Sequence, residues 1–152
     1  MKTPVLAILG LSAALLTAPS LSAQVGSPNS TPGPVTRVTT IRIIPGQADA
    51  FWQDMRQHTK PVYDEYLRRG IITGYTVATK ATTDTPEDWN VVLTVSYANW
   101  AALDNLAALT GPVTLAHYGS AAQRTMAANA RVAHAVTVAS FFVRGQTLND
   151  WK

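Results

Sequence analysis

The stretch "TRVTTIRIIPGQADAFWQDMRQHTKPVYDEYLRRG", residues 36–70, places a strand before a helix and decides the fold. Its first nine residues are rich in β-branched side chains, which favour a strand, and Pro45-Gly46 ends that strand. Asp49 lies in the first turn of the segment that follows and Gly70 comes after it, as suits the two ends of a helix over 47–69. Side chains recurring at spacings of three and four form one face of this helix: Ala48, Phe51, Met55, His58, Val62 and Tyr66.

The rest of the domain predicts three more strands and two more helices. Residues 71–83 and 89–97 read as the second and third strands, joined as an antiparallel hairpin. Asn99 can N-cap a helix over 100–109, and Thr110-Gly111-Pro112 is expected to interrupt the helical region there. An alanine-rich helix over 113–131 and a last strand over 134–145 complete the domain.

This βαββαβ order predicts an α+β, ferredoxin-like fold, with a four-stranded antiparallel sheet covered by helices on one face. In a monomer the other face would be polar. Alternation along the last strand instead gives apolar side chains on both faces, with Val136, Val138 and Phe142 on one and Ala139, Phe141 and Val143 on the other. Because an open apolar sheet face marks an interface, we expect a homodimer through that face, which would make a dimeric α/β barrel.

The chain is expected to divide into four parts. Residues 1–23 resemble a secretory signal peptide, with Lys2 before the apolar run 5–16 and cleavage after Ala23, or alternatively after Ser22. The apolar run is short for a membrane anchor, although an uncleaved signal anchor is the alternative reading. A flexible arm rich in Pro, Gly and Ser (24–35), the domain (36–145) and a C-terminal tail (146–152) follow. We therefore expect an exported protein, soluble in the periplasm or secreted.

Composition excludes several classes of site. The chain has no cysteine, so disulfides, thiolate metal sites, cysteine nucleophiles and a lipoprotein anchor are excluded. Its net charge of +3 comes from scattered Lys and Arg without a basic stripe, so nucleic acid is not an expected partner. No segment after the signal is apolar and long enough to span a membrane.

The segments "PGQADAFWQDMRQHTKPVYDEYLRRGIITGY" and "WNVVLTVSYANWAAL" resemble the dimeric α/β-barrel superfamily, in particular NIPSNAP-like proteins and the antibiotic-biosynthesis monooxygenase group. The resemblance covers about residues 36–145 and rests on element order, the Pro-Gly helix start, the Lys-Pro in helix one and an aromatic residue after strand three. It implies a homodimer and a pocket between sheet and helices. Some members are cofactor-free oxygenases of quinol-like or polyphenolic substrates, others bind haem, and many have no known activity.

His58 is the candidate general base. Asp54 lies one helical turn earlier on the same side, where a carboxylate can fix the tautomer of a histidine and raise its basicity. The alternative is a core histidine that fills space and hydrogen-bonds to the backbone or to Asp54. Pro61 removes the helical bond to the carbonyl of Gln57, so it either opens a ligand position beside His58 or lets the helix follow a curved sheet.

Aromatic side chains predict the binding surface, because aromatic walls with a few polar tips suit planar organic ligands. The expected ligand-binding residues are Trp52, Tyr66, Tyr97, Trp100 and His117. Two histidines could form half of a metal site but lack matched further ligands, so no metal or other cofactor is predicted, with haem or metal bound through His58 or His117 as the weaker alternative. The predicted function is binding of a small apolar or aromatic molecule, with cofactor-independent oxygenation or isomerisation if the protein is an enzyme. The alternative is a non-catalytic module that sequesters a ligand or binds a partner.

Overall fold

A computed structural model of the chain describes residues 29–82 and 85–150. The predicted signal peptide (1–23) and the first residues of the predicted arm (24–28) lie outside this part, so both stay predictions. No helix within the described ranges is long and apolar enough to cross a bilayer. The strands are β1 (Ser30–Ile43), β2 (Gly74–Thr79), β3 (Val91–Tyr97) and β4 (Ala135–Leu148). The helices are α1 (Ala48–Asp54), α2 (Lys60–Arg68), α3 (Leu106–Tyr118) and α4 (Ala121–Arg131), with a π-helical segment at Met55–Thr59 and a 3₁₀ turn at Trp100–Leu103.

The four strands form one antiparallel sheet in the order β2-β3-β1-β4. This order follows from two interleaved βαβ units, in which each helical region carries the chain past one strand, from β1 to β2 across β3 and from β3 to β4 across β1. All helices that contribute buried side chains pack on one face of the sheet. The predicted α+β, ferredoxin-like fold is confirmed.

The β1–β4 ladder is longer than the sequence predicts. It begins at the pair Ser30–Leu148, whereas β3 joins β1 only from the pair Val35–Tyr97 onward. Residues 30–35, assigned above to a flexible arm, therefore belong to strand β1, and residues 146–148 of the predicted tail belong to β4. The two extended segments contain β-branched residues, and their pairing satisfies the hydrogen bonds of their backbone groups. The local Pro and Gly content gives no sign of this pairing.

Helix one runs through residues 48–68 as α1, the π segment (Met55–Thr59) and α2. Its C-terminal end is as predicted, because Gly70 takes a φ of 68° and the amide of Ile71 donates to the carbonyl of Tyr66 at 2.9 Å. The π segment was not predicted. It lies just before Pro61, whose ring opposes the carbonyl four residues earlier. In the π segment the amide of Lys60 donates to the carbonyl of Met55, a bond that spans five residues and accommodates the proline.

Two clusters of buried side chains lie between the helices and the sheet. The smaller one, at the start of helix one, joins Phe51 and Met55 to Val91 of β3. The larger one, beyond the π segment, is formed by Val62, Tyr66, Ile71, Ile72, Leu93, Val95, Tyr97 and Val113. The apolar stripe of helix one thus contacts both clusters, and the π segment separates them.

The second helical region breaks at a different place from the one predicted. Asn99 does act as an N-cap, its side chain accepting from the amide of Ala102 at 3.1 Å, but it begins the short 3₁₀ turn. Helix α3 continues through Pro112 and ends at Gly119, which has a φ of 77°. Ser120 then caps α4, since its hydroxyl accepts from the amide of Gln123 at 3.1 Å. The predicted interruption at 110–112 is therefore wrong.

The open face of the sheet is apolar, but a bulge changes which side chains lie on it. The register of β1 and β4 shifts between Thr40 and Ile41, so that Val138 has no partner in the ladder. As a result Val136, paired with Arg42, lies on the same face as Phe141 and Val143, while Phe142 lies on the helix face beside Trp100. The predicted grouping of Val136 with Phe142 is wrong, because simple alternation fails across a bulge.

Candidate functional site

The π segment determines which side chain of helix one faces the sheet. A π turn rotates less per residue than an α turn, so the residue four after Met55 stays in line with it. That residue is Thr59, which lines the spaces on both sides of the helix. His58 instead turns toward helix α3. The prediction that His58 lies among the sheet-facing side chains is therefore wrong.

His58 forms a pair with the other candidate histidine. Its Nδ1 lies 3.0 Å from Nε2 of His117, with one of the two nitrogens donating, and its ring stacks on Tyr118 at a centroid distance of 5.1 Å. Burial, and then the neighbouring His58, lowers the pKa of His117 below its ordinary 6.5. The pair can therefore hold a proton between two rings, and it favours the neutral form of His117.

Asp54 does not contact His58 in the part of the chain that the structure describes. Its carboxylate accepts from Arg131 at the end of α4, from Nε at 2.7 Å and from Nη2 at 3.3 Å. Nη2 of Arg131 also lies 3.3 Å from the hydroxyl of Tyr118. The expected pairing of Asp54 with His58 is replaced by this ion pair, because a guanidinium fork matches a carboxylate better than one imidazole nitrogen does. The catalytic roles assigned to His58 and Asp54 stay predictions.

The larger described cavity lies between helix one and the sheet, and we call it the helix–sheet cavity. Its volume is about 320 Å³. Apolar side chains from the helix and from β1 and β3 form one part of its wall, and hydroxyl groups and two arginines form the rest. The lining residues are Arg37, Thr39, Ile41, Phe51, Met55, Thr59, Tyr63, Leu93, Arg131, Ala135, Thr137 and Ser140.

Arg37 stands out within this lining. It is on β1 in the register that faces the helices, two residues from buried Val35, and its Nε is buried. Within residues 29–82 and 85–150 it makes no hydrogen bond or ion pair. Burial raises the pKa of Tyr97, and the charge of Arg37 acts against that rise. Arg37 is thus a half-buried cation on the core face of the sheet, with no protein partner among the described residues.

A second space, of about 260 Å³, lies between helices α2, α3 and α4, and we call it the interhelical cavity. Thr59, Tyr63 and Arg131 line both cavities, so the two adjoin. Tyr66 and Tyr118 also line the interhelical cavity, and burial raises the pKa of Tyr66 to about 12. A tyrosine with this pKa stays protonated at neutral pH and is a hydrogen-bond donor.

The predicted ligand-binding residues do not meet at one place. Tyr66 lines the interhelical cavity, whereas His117 bonds to His58 and lines a separate space of about 220 Å³ beside Pro61 and Val62. Trp52 lies on the other side of helix one, over a groove of about 170 Å³ shared with Tyr75. Tyr97 is buried in the larger core cluster, and Trp100 is exposed against Phe142. Only Tyr66 lines either of the two larger cavities.

Metal and haem binding have little support in this arrangement. The described residues contain no group of three or more His, Cys, Asp or Glu side chains placed to hold a metal ion. The facing nitrogens of His58 and His117 bond to each other, so an iron would have to break that bond or use the outer nitrogen of a ring. Neither imidazole lines the helix–sheet cavity, so these residues do not fit a haem in that space.

The sequence missed Arg37, Arg131, Tyr118 and Thr59. The sequence contains one signal for Arg37. It lies an even number of residues from Ile41 and Ile43 and therefore belongs to the same, apolar face of β1. The sequence contains no such signal for Arg131, since its partner Asp54 is 77 residues away in the chain. Thr59 depends on the π segment, which local propensity does not indicate.

Comparison with known proteins gives only distant likenesses. No protein-family model and no curated protein matches the chain. The chain is similar to HapK from Hahella chejuensis, with 16% identity, coverage of 78% of this chain and 96% of that chain, and a TM-score of 0.47. It is also similar to a dimeric protein of unknown function and ferredoxin-like fold from Bacteroides fragilis (10% identity, 77% and 97% coverage, TM-score 0.40). A dimeric ferredoxin-like protein from an uncultured marine organism gives 15% identity, 80% and 99% coverage and a TM-score of 0.41.

Proposed function

We propose that the chain binds a small molecule with an apolar or aromatic body in the helix–sheet cavity. The observation that carries this proposal is a space of about 320 Å³ left between helix one and the sheet, where a small domain would otherwise close its core. The volume is at the lower end of the range for ligand pockets, about 300 to 1,000 Å³. A ligand of one or two rings suits it.

The wall of the cavity supports this choice of ligand. Ile41, Phe51, Met55 and Leu93 offer aliphatic, aromatic and thioether contact to a ring. The hydroxyls of Thr39, Thr137 and Ser140 lie on the sheet side and can orient polar substituents. An apolar wall with a few convergent polar groups is the usual composition of a binding pocket.

We further propose that the active form is a homodimer through the open sheet face. Val38, Val136, Phe141 and Val143 lie on that face by their ladder register. Phe141 is 48% exposed in the single chain, and a second sheet would cover it. Two such sheets packed together make the dimeric α/β barrel expected from the resemblance to NIPSNAP-like and antibiotic-biosynthesis monooxygenase proteins, and we propose export through the predicted signal peptide.

Native mass spectrometry of the protein purified from its own host tests the binding proposal. We expect a dimer that carries a retained ligand of a few hundred daltons. The variant Thr137→Phe, which places a ring in the cavity from β4, is expected to purify without it. Thr125→Phe on the exposed surface of α4 is the matched control and should keep the ligand. A ligand retained equally by Thr137→Phe would place the binding site elsewhere.

Catalysis is a second candidate function, favoured by the His58–His117 pair beside Tyr118, a residue that lines the interhelical cavity. Tyr118 stacks on His58, which puts the imidazole pair one ring away from that cavity as a candidate base. Such a base suits cofactor-independent oxygenation or isomerisation. If it operates, turnover of the retained ligand should be lost in His58→Gln while binding persists. Equal turnover in this variant would leave a binding protein without catalysis through His58.

Haem binding through His58 or His117 is the weakest candidate, given the hydrogen bond between them. Haem titration checks it directly. A Soret band that appears in the wild-type protein and disappears in both His58→Ala and His117→Ala would replace the proposal above. We expect no such histidine-dependent band.

A further inference from the structure

The charges around the helix–sheet cavity do not cancel. Two of its lining residues, Arg37 and Arg131, carry guanidinium groups, and none of the described residues that line it carries a carboxylate. Arg131 already binds Asp54 through two nitrogens. Arg37 has no counter-ion of this kind, so the cavity keeps one net positive charge.

A buried guanidinium nitrogen lowers stability unless a ligand bonds to it. Arg37 projects from the core face of β1, and its buried Nε has no hydrogen-bond partner among the described residues. Leaving a buried donor unpaired lowers stability, and buried polar groups are therefore almost always bonded. The planar fork of an arginine matches two oxygens of one anion.

We infer that the ligand of the helix–sheet cavity is an organic monoanion, a carboxylate on an apolar or aromatic body, and that Arg37 binds its charge. This inference rests on the proposed binding function and adds the charge of the ligand to it. Arg37 would bind the carboxylate at the β1 side, while Phe51, Met55 and Leu93 contact the body. Hydroxyls of Thr39 and Ser140, paired across β1 and β4, lie beside the same end.

A carboxylate fits the cavity better than a phosphate. One unpaired guanidinium balances a single negative charge, whereas a phosphate monoester carries nearly two at neutral pH. Phosphate sites also favour the N-terminus of a helix, where free amides converge. The cavity lies instead along the middle of helix one, beside Met55, Thr59 and Tyr63, whose amides are within the helix.

A matched pair of probes tests the inference by isothermal titration calorimetry: 1-naphthoate and the neutral 1-naphthalenemethanol, each titrated into the purified full chain. We expect the wild-type protein to bind the carboxylate about tenfold to a hundredfold more tightly, which is the usual effect of a charge-assisted hydrogen bond. Arg37→Gln should lose this preference and bind the alcohol within about twofold of wild type. Arg37→Lys, which keeps the charge but not the fork, should retain part of the preference.

Arg42→Gln is the matched control, because Arg42 is on the same strand and its Nε is also buried without a partner, but its side chain lies on the opposite face and its Nη1 binds Glu87. It should bind both probes as the wild type does. Equal affinity for the two probes in the wild type, or a preference that survives in Arg37→Gln, would overturn the inference and leave the proposed binding function intact. If the wild type binds neither probe, the proposed function fails together with the inference.

Discussion

Arg37 shows at the level of one residue how a site can weaken the fold that holds it. Its guanidinium is on the core face of β1 without a protein partner among the described residues. Arg37→Met keeps a similar length and removes the unpaired donors. We expect the ligand-free variant to be more stable by about 1 kcal/mol, as unpaired buried polar groups cost at least that much.

Urea unfolding at one fixed protein concentration measures this change, since the stability of the proposed dimer would depend on concentration. Arg37→Lys retains a charged side chain and should show no gain. If Arg37→Met is instead less stable than wild type, the arginine contributes to the core through contacts of its own, and its availability to a ligand is in doubt.

His117 gives the protein a predictable response to pH. Its pKa is lowered from 6.5 by burial and by His58, so below about pH 7 the unfolded chain binds a proton there that the folded protein does not. The free energy of unfolding should therefore fall as pH drops from about 7 to 5.5. Two acidic residues also have lowered pKa values, Asp64 because of Lys60 and Glu65 because of Arg68 and Arg69. Their protonation reduces the free energy of unfolding only below their ordinary pKa values of 3.8 and 4.5.

Denaturant unfolding at several pH values between these limits checks the response. His117→Gln should flatten the slope. Thr125→Gln, on the exposed surface of α4, introduces the same amide side chain without removing a histidine and should leave the slope unchanged. A wild-type protein that becomes more stable toward pH 5.5 would contradict the assignment.

At the level of elements, two glycines distinguish the observed helix break from the predicted one. Gly111 lies inside α3, and a Cβ there would meet nothing within 4 Å. Gly111→Ala should therefore stabilise the protein by about 1 kcal/mol, the difference in helix propensity between the two residues. Gly119 has a φ of 77°, and a Cβ there would lie 2.8 Å from Oε1 of Gln123. Gly119→Ala should destabilise the protein by about 1 kcal/mol or more.

Thermal or urea unfolding of the two variants measures both effects. If Gly111→Ala is instead the variant that lowers stability, the result would support the predicted interruption at Thr110-Gly111-Pro112. Circular dichroism provides a check on helix content, which should not fall in Gly111→Ala.

The sequence predicts the elements better than it predicts the site. Periodicity over 36–70 and 89–97 identifies strands and helix one, because those patterns follow from which side chains must be buried. The turn that holds His58 and Thr59 could not be predicted, since the π segment depends on how Pro61 is accommodated within a packed helix. The ion pair of Asp54 with Arg131 joins residues far apart in the chain, so its formation depends on tertiary structure alone.

At the level of the whole molecule, the sheet has the size and polarity of an interface. Strands of 14, 6, 7 and 14 residues, spaced at about 4.8 Å with a rise of about 3.3 Å per residue, give roughly 650 Å² of projected sheet. Standard interfaces bury about 600 to 1,000 Å² of accessible surface on each partner, and the area of the sheet falls within this range. One open face is therefore large enough for a stable dimer without contributions from the helices.

Charge placed on that face should separate the two chains. Phe141 pairs with Val38 in the ladder, on the face opposite the helices, so Phe141→Glu would place carboxylates in the middle of two packed sheets. Size exclusion with light scattering is expected to give the wild type about twice its chain mass and Phe141→Glu the mass of one chain, because unpaired buried charges cost several kcal/mol. Met126→Glu, at a position 69% exposed on α4, changes the net charge equally and should stay dimeric. A wild-type protein with the mass of one chain would refute the interface, whereas the helix–sheet cavity, built within one chain, would remain open to ligand.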